Sequence, residues 1–195
     1  MAKMYFKYGT MNSGKSIELL KTKHNYEEQG KAVLVFTSGK DDRYGQGKVS
    51  TRIGLSCDAH MIFDDTNITK VVKDSLAYQN KNLYCILVDE AQFLTKENVK
   101  ELKMICLNED VPIICFGLKN DFQNNLFEGS AALLAYSENL VELKTVCWFC
   151  EKKATMVLRR DEKGNPIYVG DQVVIGGNDK YIPVCHKHYL DPDNK

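Results

Sequence analysis

The residues best suited to chemistry stand near the start of the chain, where positions 9–16 read GTMNSGKS. They fit G-x-x-x-x-G-K-[ST], a P-loop whose glycines let successive backbone N–H groups point at one phosphate. Lys15 can then reach the outer phosphates, and the Ser16 hydroxyl can ligate Mg²⁺. The alternative is a Gly-rich turn that only joins a strand to a helix. The predicted ATP-binding residues of this loop are Gly9, Thr10, Met11, Asn12, Ser13, Gly14, Lys15 and Ser16.

A second candidate is the acidic pair Asp89 and Glu90, which directly follows the apolar run 83–88. The arrangement has the form of a Walker B strand. Beside a P-loop, the first carboxylate is expected to hold Mg²⁺, because this cation prefers oxygen ligands next to the substrate phosphates. Glu90 is then available as a base toward an incoming hydroxyl or water. The alternative is a pair of solvated acids that begin a helix.

Two pairs of metal-ligating residues stand near the end of the chain, and each pair has two residues between its members. Four such ligands suit a closed, tetrahedral, structural Zn²⁺ site, which leaves no position open for catalysis. His186 competes as the imidazole, but the CxxH spacing favours His188. A redox CxxC motif and unpaired buried thiols are the alternatives. The predicted zinc ligands are Cys147, Cys150, Cys185 and His188.

The elements that must position these residues follow from the hydrophobic pattern. The pattern predicts three helices. One follows the P-loop, one begins near Ile68, and one begins after Thr95, whose side chain is placed to cap it. Strands that alternate with helices in this way predict an α/β fold: a parallel sheet with helices on both faces and its strand ends, including positions 9, 89 and 117, along one edge. The predicted strands are residues 4–8, 32–37, 83–88 and 111–117.

The character of the chain changes near residue 143, which predicts a P-loop nucleotide-binding domain at 1–143 and a small zinc-binding domain at 144–195. The zinc ion would hold together the two ends of segment 151–184, which has too few apolar residues to fold alone. The stretch 38–56 is too polar for the core and too long for a simple turn, and is predicted to be a functional or mobile loop.

Composition narrows the function classes. The chain has 195 residues with 26 basic and 26 acidic side chains, so its formal net charge is zero and bulk attraction to nucleic acid or an anionic membrane is not indicated. No apolar run approaches the roughly 20 residues of a membrane span, and the N-terminus has no apolar signal region, which favours a cytoplasmic protein. Four of the seven cysteines are scattered and are predicted to be small buried hydrophobic residues: Cys57, Cys85, Cys106 and Cys115.

Together the P-loop, the acidic pair and the zinc lobe resemble the type II thymidine kinases, and in detail the bacterial members, which share Met-Asn-x-Gly-Lys-Ser at 11–16. The stretches 41–44, 117–118, 121–123 and 174–181 also match. The resemblance implies a RecA-like kinase domain and a homotetramer. It also implies transfer of the γ-phosphate of ATP to the 5′-hydroxyl of thymidine, for pyrimidine deoxynucleoside salvage in DNA synthesis, with Glu90 as general base. The further ATP-binding residues that it implies are Asp41, Arg43, Asp89 and Gln92.

The same resemblance implies a thymine pocket and a lasso loop over residues 159–181 that closes on the nucleoside. Gly176 would let the backbone approach the base, whose polar edge main-chain groups could then read. Val157 stands where many relatives carry a threonine near the thymine methyl group. The implied substrate-binding residues are Met11, Phe93, Leu118, Phe122, Phe127, Val174, Ile175, Gly176 and Tyr181.

Two rival functions remain open at this point. Residues 89–92 superficially resemble a helicase DExx box, so a nucleic-acid-dependent P-loop ATPase with a zinc lobe is one alternative. Two observations speak against this alternative. A chain of 195 residues cannot supply two motor domains, and a chain with zero net charge offers a poor surface for binding the phosphate backbone of a nucleic acid. The other alternative is a nucleotide sensor without catalysis, although Glu90 stands where a catalyst needs a base.

Overall fold

The computed structural model describes residues 1–40, 47–79, 83–172 and 180–192. Within these ranges the chain forms eleven strands, five α-helices and a 3₁₀ turn at Ala91–Phe93. The strands are β1 Met4–Tyr8, β2 Ala32–Ser38, β3 Lys48–Ser50, β4 Ser56–Asp58, β5 His60–Ile62, β6 Leu83–Asp89, β7 Ile113–Gly117, β8 Asn139–Glu142, β9 Met156–Arg160, β10 Pro166–Ile167 and β11 Tyr181–Val184. The helices are α1 Lys15–Glu28, α2 Ile68–Gln79, α3 Lys96–Asn108, α4 Glu128–Tyr136 and α5 His186–Leu190.

Six of the described strands form one parallel sheet in the order β5-β2-β6-β7-β1-β8. The predicted α/β fold is therefore confirmed. β2 and β6 are adjacent and their apolar runs are buried, as expected for strands covered on both faces. The sequence pattern did not indicate β5 and β8 because these edge strands have only three and four residues of mixed polarity.

Helices cover both faces of this sheet. On one face, Leu19 of α1 packs with Leu87 and Phe116 in a buried cluster. On the other face, residues of α2, α3 and α4 pack against Phe6 and Val88 in the larger cluster. This burial on both sides fixes the strand ends relative to one another, and with them the loops that carry the chemistry. None of the helices in the described ranges has the length and apolar character needed to cross a membrane.

The polar stretch after β2 contains an antiparallel hairpin of β3 and β4. The prediction of a loop throughout 38–56 is wrong for this part. Val49 is 1% exposed and belongs to the buried cluster that includes Leu19, and the partly buried Cys57 of β4 packs against the same cluster, so one side chain from each strand attaches the hairpin to this core. Strands of three residues with a single buried position leave almost no periodic signal in a sequence.

The C-terminal part forms its own antiparallel sheet in the order β10-β9-β11. Leu158, Ile182 and Val184 are buried there against Cys147 and Cys185. The small apolar core of this lobe therefore lies directly beside the predicted zinc ligands.

Thr95 caps α3 as predicted. Its side-chain oxygen accepts a hydrogen bond from the Asn98 backbone N–H at 3.1 Å, and Asn98 Oδ1 accepts from the Thr95 N–H at 3.1 Å. Such a capping box satisfies two backbone donors at the helix N-terminus. The cap fixes where α3 begins after the turn that follows β6.

We expect Thr95→Ala to lower the free energy of unfolding by about 1 kcal/mol, because the substitution leaves the Asn98 N–H without its side-chain acceptor. Urea denaturation followed by circular dichroism measures the change. Lys96→Ala, at an exposed position in the same first turn, is the control. Equal stability of Thr95→Ala and the wild type would contradict the role given to the cap.

Candidate active site

The carboxyl ends of β1, β6 and β7 open onto one cavity of about 480 Å³. This volume is in the usual range for small-molecule sites. Gly9 and Thr10 begin the P-loop but do not border this cavity, and Asp41, Arg43, Val174, Ile175 and Gly176 lie outside the described residues. The predicted site residues that border it are Met11, Asn12, Ser13, Gly14, Lys15, Ser16, Asp89, Glu90, Gln92, Phe93, Leu118, Phe122, Phe127 and Tyr181.

The P-loop turns sharply into α1 at one end of the cavity. Gly14 has a left-handed backbone with φ of +80° immediately before the helix starts at Lys15. A Cβ atom on Gly9 would lie 2.5 Å from the Leu143 carbonyl oxygen, so only glycine fits there. Lys15 Nζ donates to the Thr10 carbonyl oxygen at 2.8 Å. The helix N-terminus and this lysine together make a site for anionic phosphate groups.

Ser16 and Asp89 meet across the cavity floor, where the serine hydroxyl donates to Asp89 Oδ2 at 2.9 Å. Asp89 is only 4% exposed. Burial, together with the nearby charge of Glu90, raises the pKa of Asp89 to about 7, against the lowering effect of the hydrogen bond from Ser16. The protein alone therefore stabilises this carboxylate poorly. An oxygen-only pair of this kind fits Mg²⁺, whose charge would favour the ionised form.

Glu90 follows Asp89 at the turn out of β6, and its φ of +49° is unusual for a residue other than glycine. Strained backbone of this kind often occurs at functional sites. Glu90 Oε2 accepts a hydrogen bond from Gln92 Nε2 at 2.5 Å. Gln92 was expected to contact ATP; its side chain borders the cavity and also accepts from the Leu118 N–H at 3.0 Å.

Aromatic side chains line the other end of the cavity. Phe93 and Phe127 pack edge to face with ring centroids 5.7 Å apart, and Phe122 and Tyr181 pack at 6.4 Å. Met11 of the P-loop packs against the cluster that includes Phe122, Tyr181 and Val157. The walls are apolar, and their planar aromatic rings suit a flat ligand. Because Met11 packs against them, the P-loop itself forms part of these walls.

Contacts between the C-terminal lobe and the loop after β7 have no signal in the sequence. Tyr189 donates its hydroxyl to the Phe122 carbonyl oxygen at 2.7 Å, and Gln172 Nε2 donates to Asp121 Oδ2 at 2.9 Å. The Arg159 guanidinium lies 5.0 Å from the centre of the Phe122 ring. The partners in these contacts are far apart in the chain, so no local pattern joins them. They hold one aromatic wall of the cavity to the lobe.

The four predicted metal ligands converge in that lobe. Their ligand atoms all lie within 4.8 Å of one another, and His188 Nδ1 lies 3.4 Å from Cys147 Sγ and 3.3 Å from Cys185 Sγ. Tetrahedral ligands of zinc stand about 3.5–3.8 Å apart, so the set fits a metal ion after small adjustments. Burial alone would raise the pKa of Cys147, but hydrogen bonds from the backbone and from His188 lower it to about 6, which favours the thiolate that a metal requires.

We expect His188→Ala to lose most of the metal that the wild-type protein retains after gel filtration, because the cluster keeps only three ligands. His186→Ala is the matched control, since its imidazole is exposed, whereas that of His188 is buried. Metal content per chain, measured by mass spectrometry, tests the prediction. Retention of metal by His188→Ala together with its loss from His186→Ala would show that the ligand set is wrong.

A P-loop that faces an acidic strand end at the edge of a parallel sheet is typical of P-loop nucleotide-binding proteins. The family model of thymidine kinase matches residues 2–189, and the chain belongs to the thymidine kinase family. The membership that the motifs predicted is thus confirmed.

The curated relatives match over nearly their whole length. The chain is 55% identical to thymidine kinase from Listeria innocua over 195 residues, which cover 100% of both chains. It is 58% identical to thymidine kinase from Enterococcus faecalis over 192 residues, 98% of this chain and 96% of the relative. It is 55% identical to thymidine kinase from Streptococcus pyogenes over 193 residues, 99% of this chain and 100% of the relative. A solved Pif1 helicase from Candida albicans aligns over 73% of this chain and 36% of the helicase, with a TM-score of 0.40 and 15% identity, which is too distant to bear on fold or function.

Proposed function

We propose that this protein transfers the γ-phosphate of ATP to the 5′-hydroxyl of thymidine, with Glu90 as the general base. The observation that carries the proposal is that one cavity of about 480 Å³ is lined both by the P-loop and by an aromatic slot, which is formed by Phe93, Phe122, Phe127 and Tyr181. Glu90 borders that same cavity. Membership of the thymidine kinase family supports thymidine as the acceptor and ATP as the donor.

The donor end binds the triphosphate. Backbone N–H groups at the start of α1 and the Lys15 ammonium face the phosphates and offset their charge. Ser16 and Asp89 would hold Mg²⁺, which when bound neutralises charge on the β- and γ-phosphates. We assign Asp41 and Arg43 to this end from the family resemblance, in which Arg43 would offset charge on the transferring group.

Glu90 activates the acceptor. Its carboxylate takes the proton from the 5′-hydroxyl as the oxygen attacks the γ-phosphorus. The bond from phosphorus to the bridging oxygen breaks, ADP leaves, and the proton remains on Glu90. Catalysis depends chiefly on positioning, because phosphoryl transfer leaves the protein little covalent chemistry to do.

The acceptor end selects a pyrimidine base. The aromatic walls formed by Phe93, Phe127, Phe122 and Tyr181 bind a flat ring by stacking and exclude water. We assign backbone groups of residues 174–176 to the polar edge of the base, because these positions match the lasso of the family. Val157 lies in the wall near Met11 and offers only an apolar contact to the thymine methyl group.

The remaining parts of the proposal concern the whole molecule. We assign the cysteine and histidine cluster to structural Zn²⁺, since a closed set of three thiols and one imidazole is typical of such sites. We take residues 1–143 as the kinase domain and 144–195 as the zinc and lasso domain. The homotetramer, the cytoplasmic location and the role in deoxynucleoside salvage are proposed from the family resemblance.

We expect Glu90→Gln to lower kcat for thymidine phosphorylation by roughly 10²-fold or more, because the amide cannot accept the proton. ATP binding should remain, since the P-loop is unchanged, and calorimetric titration with Mg-ATP measures it. Glu97→Gln is the matched control, because that side chain is 73% exposed on α3. Near-normal turnover of Glu90→Gln would rule out its role as the base.

The acceptor itself is tested by offering Mg-ATP with thymidine and, separately, with single-stranded DNA. The proposal predicts thymidine monophosphate and stoichiometric ADP in the first mixture and no stimulated hydrolysis in the second. DNA-stimulated ATP hydrolysis without thymidine monophosphate would instead indicate a nucleic-acid-dependent ATPase.

A further inference from the structure

We infer that Gln92 is a positioning residue that holds the Glu90 carboxylate in place, rather than a ligand of ATP. The inference rests on the proposed function, in which Glu90 is the base. Gln92 lies in the 3₁₀ turn after Glu90 and is 2% exposed. A buried amide requires hydrogen-bond partners, so its contacts indicate its role.

The oxygen and the nitrogen of the Gln92 side-chain amide form hydrogen bonds with different partners. Its carbonyl oxygen accepts from the Leu118 backbone N–H at 3.0 Å, and its nitrogen donates to Glu90 Oε2 at 2.5 Å. Because a backbone N–H can only donate, it fixes which end of the amide is oxygen. The nitrogen must then face Glu90, whose Oε2 accepts its hydrogen bond. The amide orientation is therefore determined by chemistry on both sides.

The point to which Gln92 ties Glu90 is itself rigid. The Ser130 hydroxyl donates to the Leu118 carbonyl oxygen at 2.6 Å, so the peptide groups on both sides of Leu118 are held by side chains. Ser130 is fully buried in α4. Leu118 also borders the cavity next to the aromatic slot. Gln92 therefore fixes the position of Glu90 relative to the wall of the acceptor site.

Two glycines lie directly against the turn that carries Gln92. A Cβ atom on Gly117 would lie 2.8 Å from Gln92 Oε1. A Cβ atom on Gly129 would lie 2.5 Å from the Ala91 carbonyl oxygen and 2.7 Å from that of Leu94. Both contacts are closer than real Cβ atoms approach such groups, so glycine is required for this packing.

Glu90 needs such a support because no regular element orients it. Its left-handed backbone stands between β6 and the 3₁₀ turn, and a glutamate side chain has several rotatable bonds. A base that is misplaced by about 1 Å can lose roughly 10²-fold in rate. The hydrogen bond from Gln92 removes that freedom before the acceptor arrives.

Gln92→Met tests the inference, because methionine has a similar length and cannot bond to either partner. We expect kcat to fall roughly 10- to 100-fold, while KM for ATP and KM for thymidine change less than about 3-fold. Gln92→Glu is the isosteric variant: it keeps an acceptor for the Leu118 N–H but turns the donor into a repelling oxygen. We expect its kcat to fall at least as far.

A double-mutant cycle with Glu90→Gln shows whether Gln92 acts through Glu90. If it does, Gln92→Met should lower kcat less than about 3-fold in the Glu90→Gln background, because the base is already absent. A merely structural residue would lower kcat by the same factor in both backgrounds, which would overturn the inference. A KM for ATP raised about 10-fold with kcat retained would equally overturn it and make Gln92 an ATP ligand. If the wild type produced no thymidine monophosphate, the proposed function would fail instead.

Discussion

A buried carboxylate at the end of a central strand is the constraint on which the structure depends. Asp89 is 4% exposed and its charge is opposed by burial and by Glu90, yet Ser16 of the P-loop donates a hydrogen bond to it. The hydrogen bond from Ser16 and the positive charge of Lys15 offset only part of the cost of burying this charge, because burial and the charge of Glu90 still raise the pKa of Asp89. The Mg²⁺ ion that we propose for this site would offset that cost when bound. The sheet and the helices on both its faces supply the rigidity that keeps two such groups together.

Residues at the same strand end border the cavity together with the P-loop and the aromatic side chains. One residue beyond Asp89, the backbone turns into a left-handed conformation and presents Glu90 to the cavity. Two residues further, Gln92 connects that carboxylate to Leu118, at the end of the neighbouring strand β7. From there the loop reaches Phe122, which Tyr189 and Arg159 hold from the C-terminal lobe. A series of contacts therefore runs from Glu90 to the lobe that carries the cysteine and histidine cluster.

The parts of this site that could be predicted from sequence are local. The P-loop, the apolar strands and the CxxC and CxxH pairs each depend on spacing within a few residues, and the structure brings the metal ligands together as expected. The walls of the base slot, Phe122 and Tyr181 among them, followed only from family resemblance, because an aromatic residue alone predicts core as readily as a pocket. Roles for Asp41, Arg43 and residues 174–176 stay predictions.

What the sequence did not show depends on distant partners or on very short elements. The Gln172–Asp121 contact spans 51 positions, and the Tyr189–Phe122 contact spans 67. The β3–β4 hairpin has two strands of three residues, and Val49 is the only residue of these two strands that is buried. Gln92 was assigned to ATP by analogy of position, whereas its hydrogen bonds point to Glu90. Such pairings arise from tertiary packing, which no periodicity encodes.

We propose that one cavity holds the acceptor hydroxyl against Glu90 while the phosphates lie on the P-loop. A crystal structure with thymidine, Mg²⁺ and a non-hydrolysable ATP analogue tests it most directly. We expect a Glu90 carboxylate oxygen about 2.6–3.2 Å from the 5′-hydroxyl oxygen, with Mg²⁺ between Ser16, Asp89 and the phosphates. A nucleoside bound with its 5′-hydroxyl turned away from Glu90, or seated outside the aromatic slot, would contradict it.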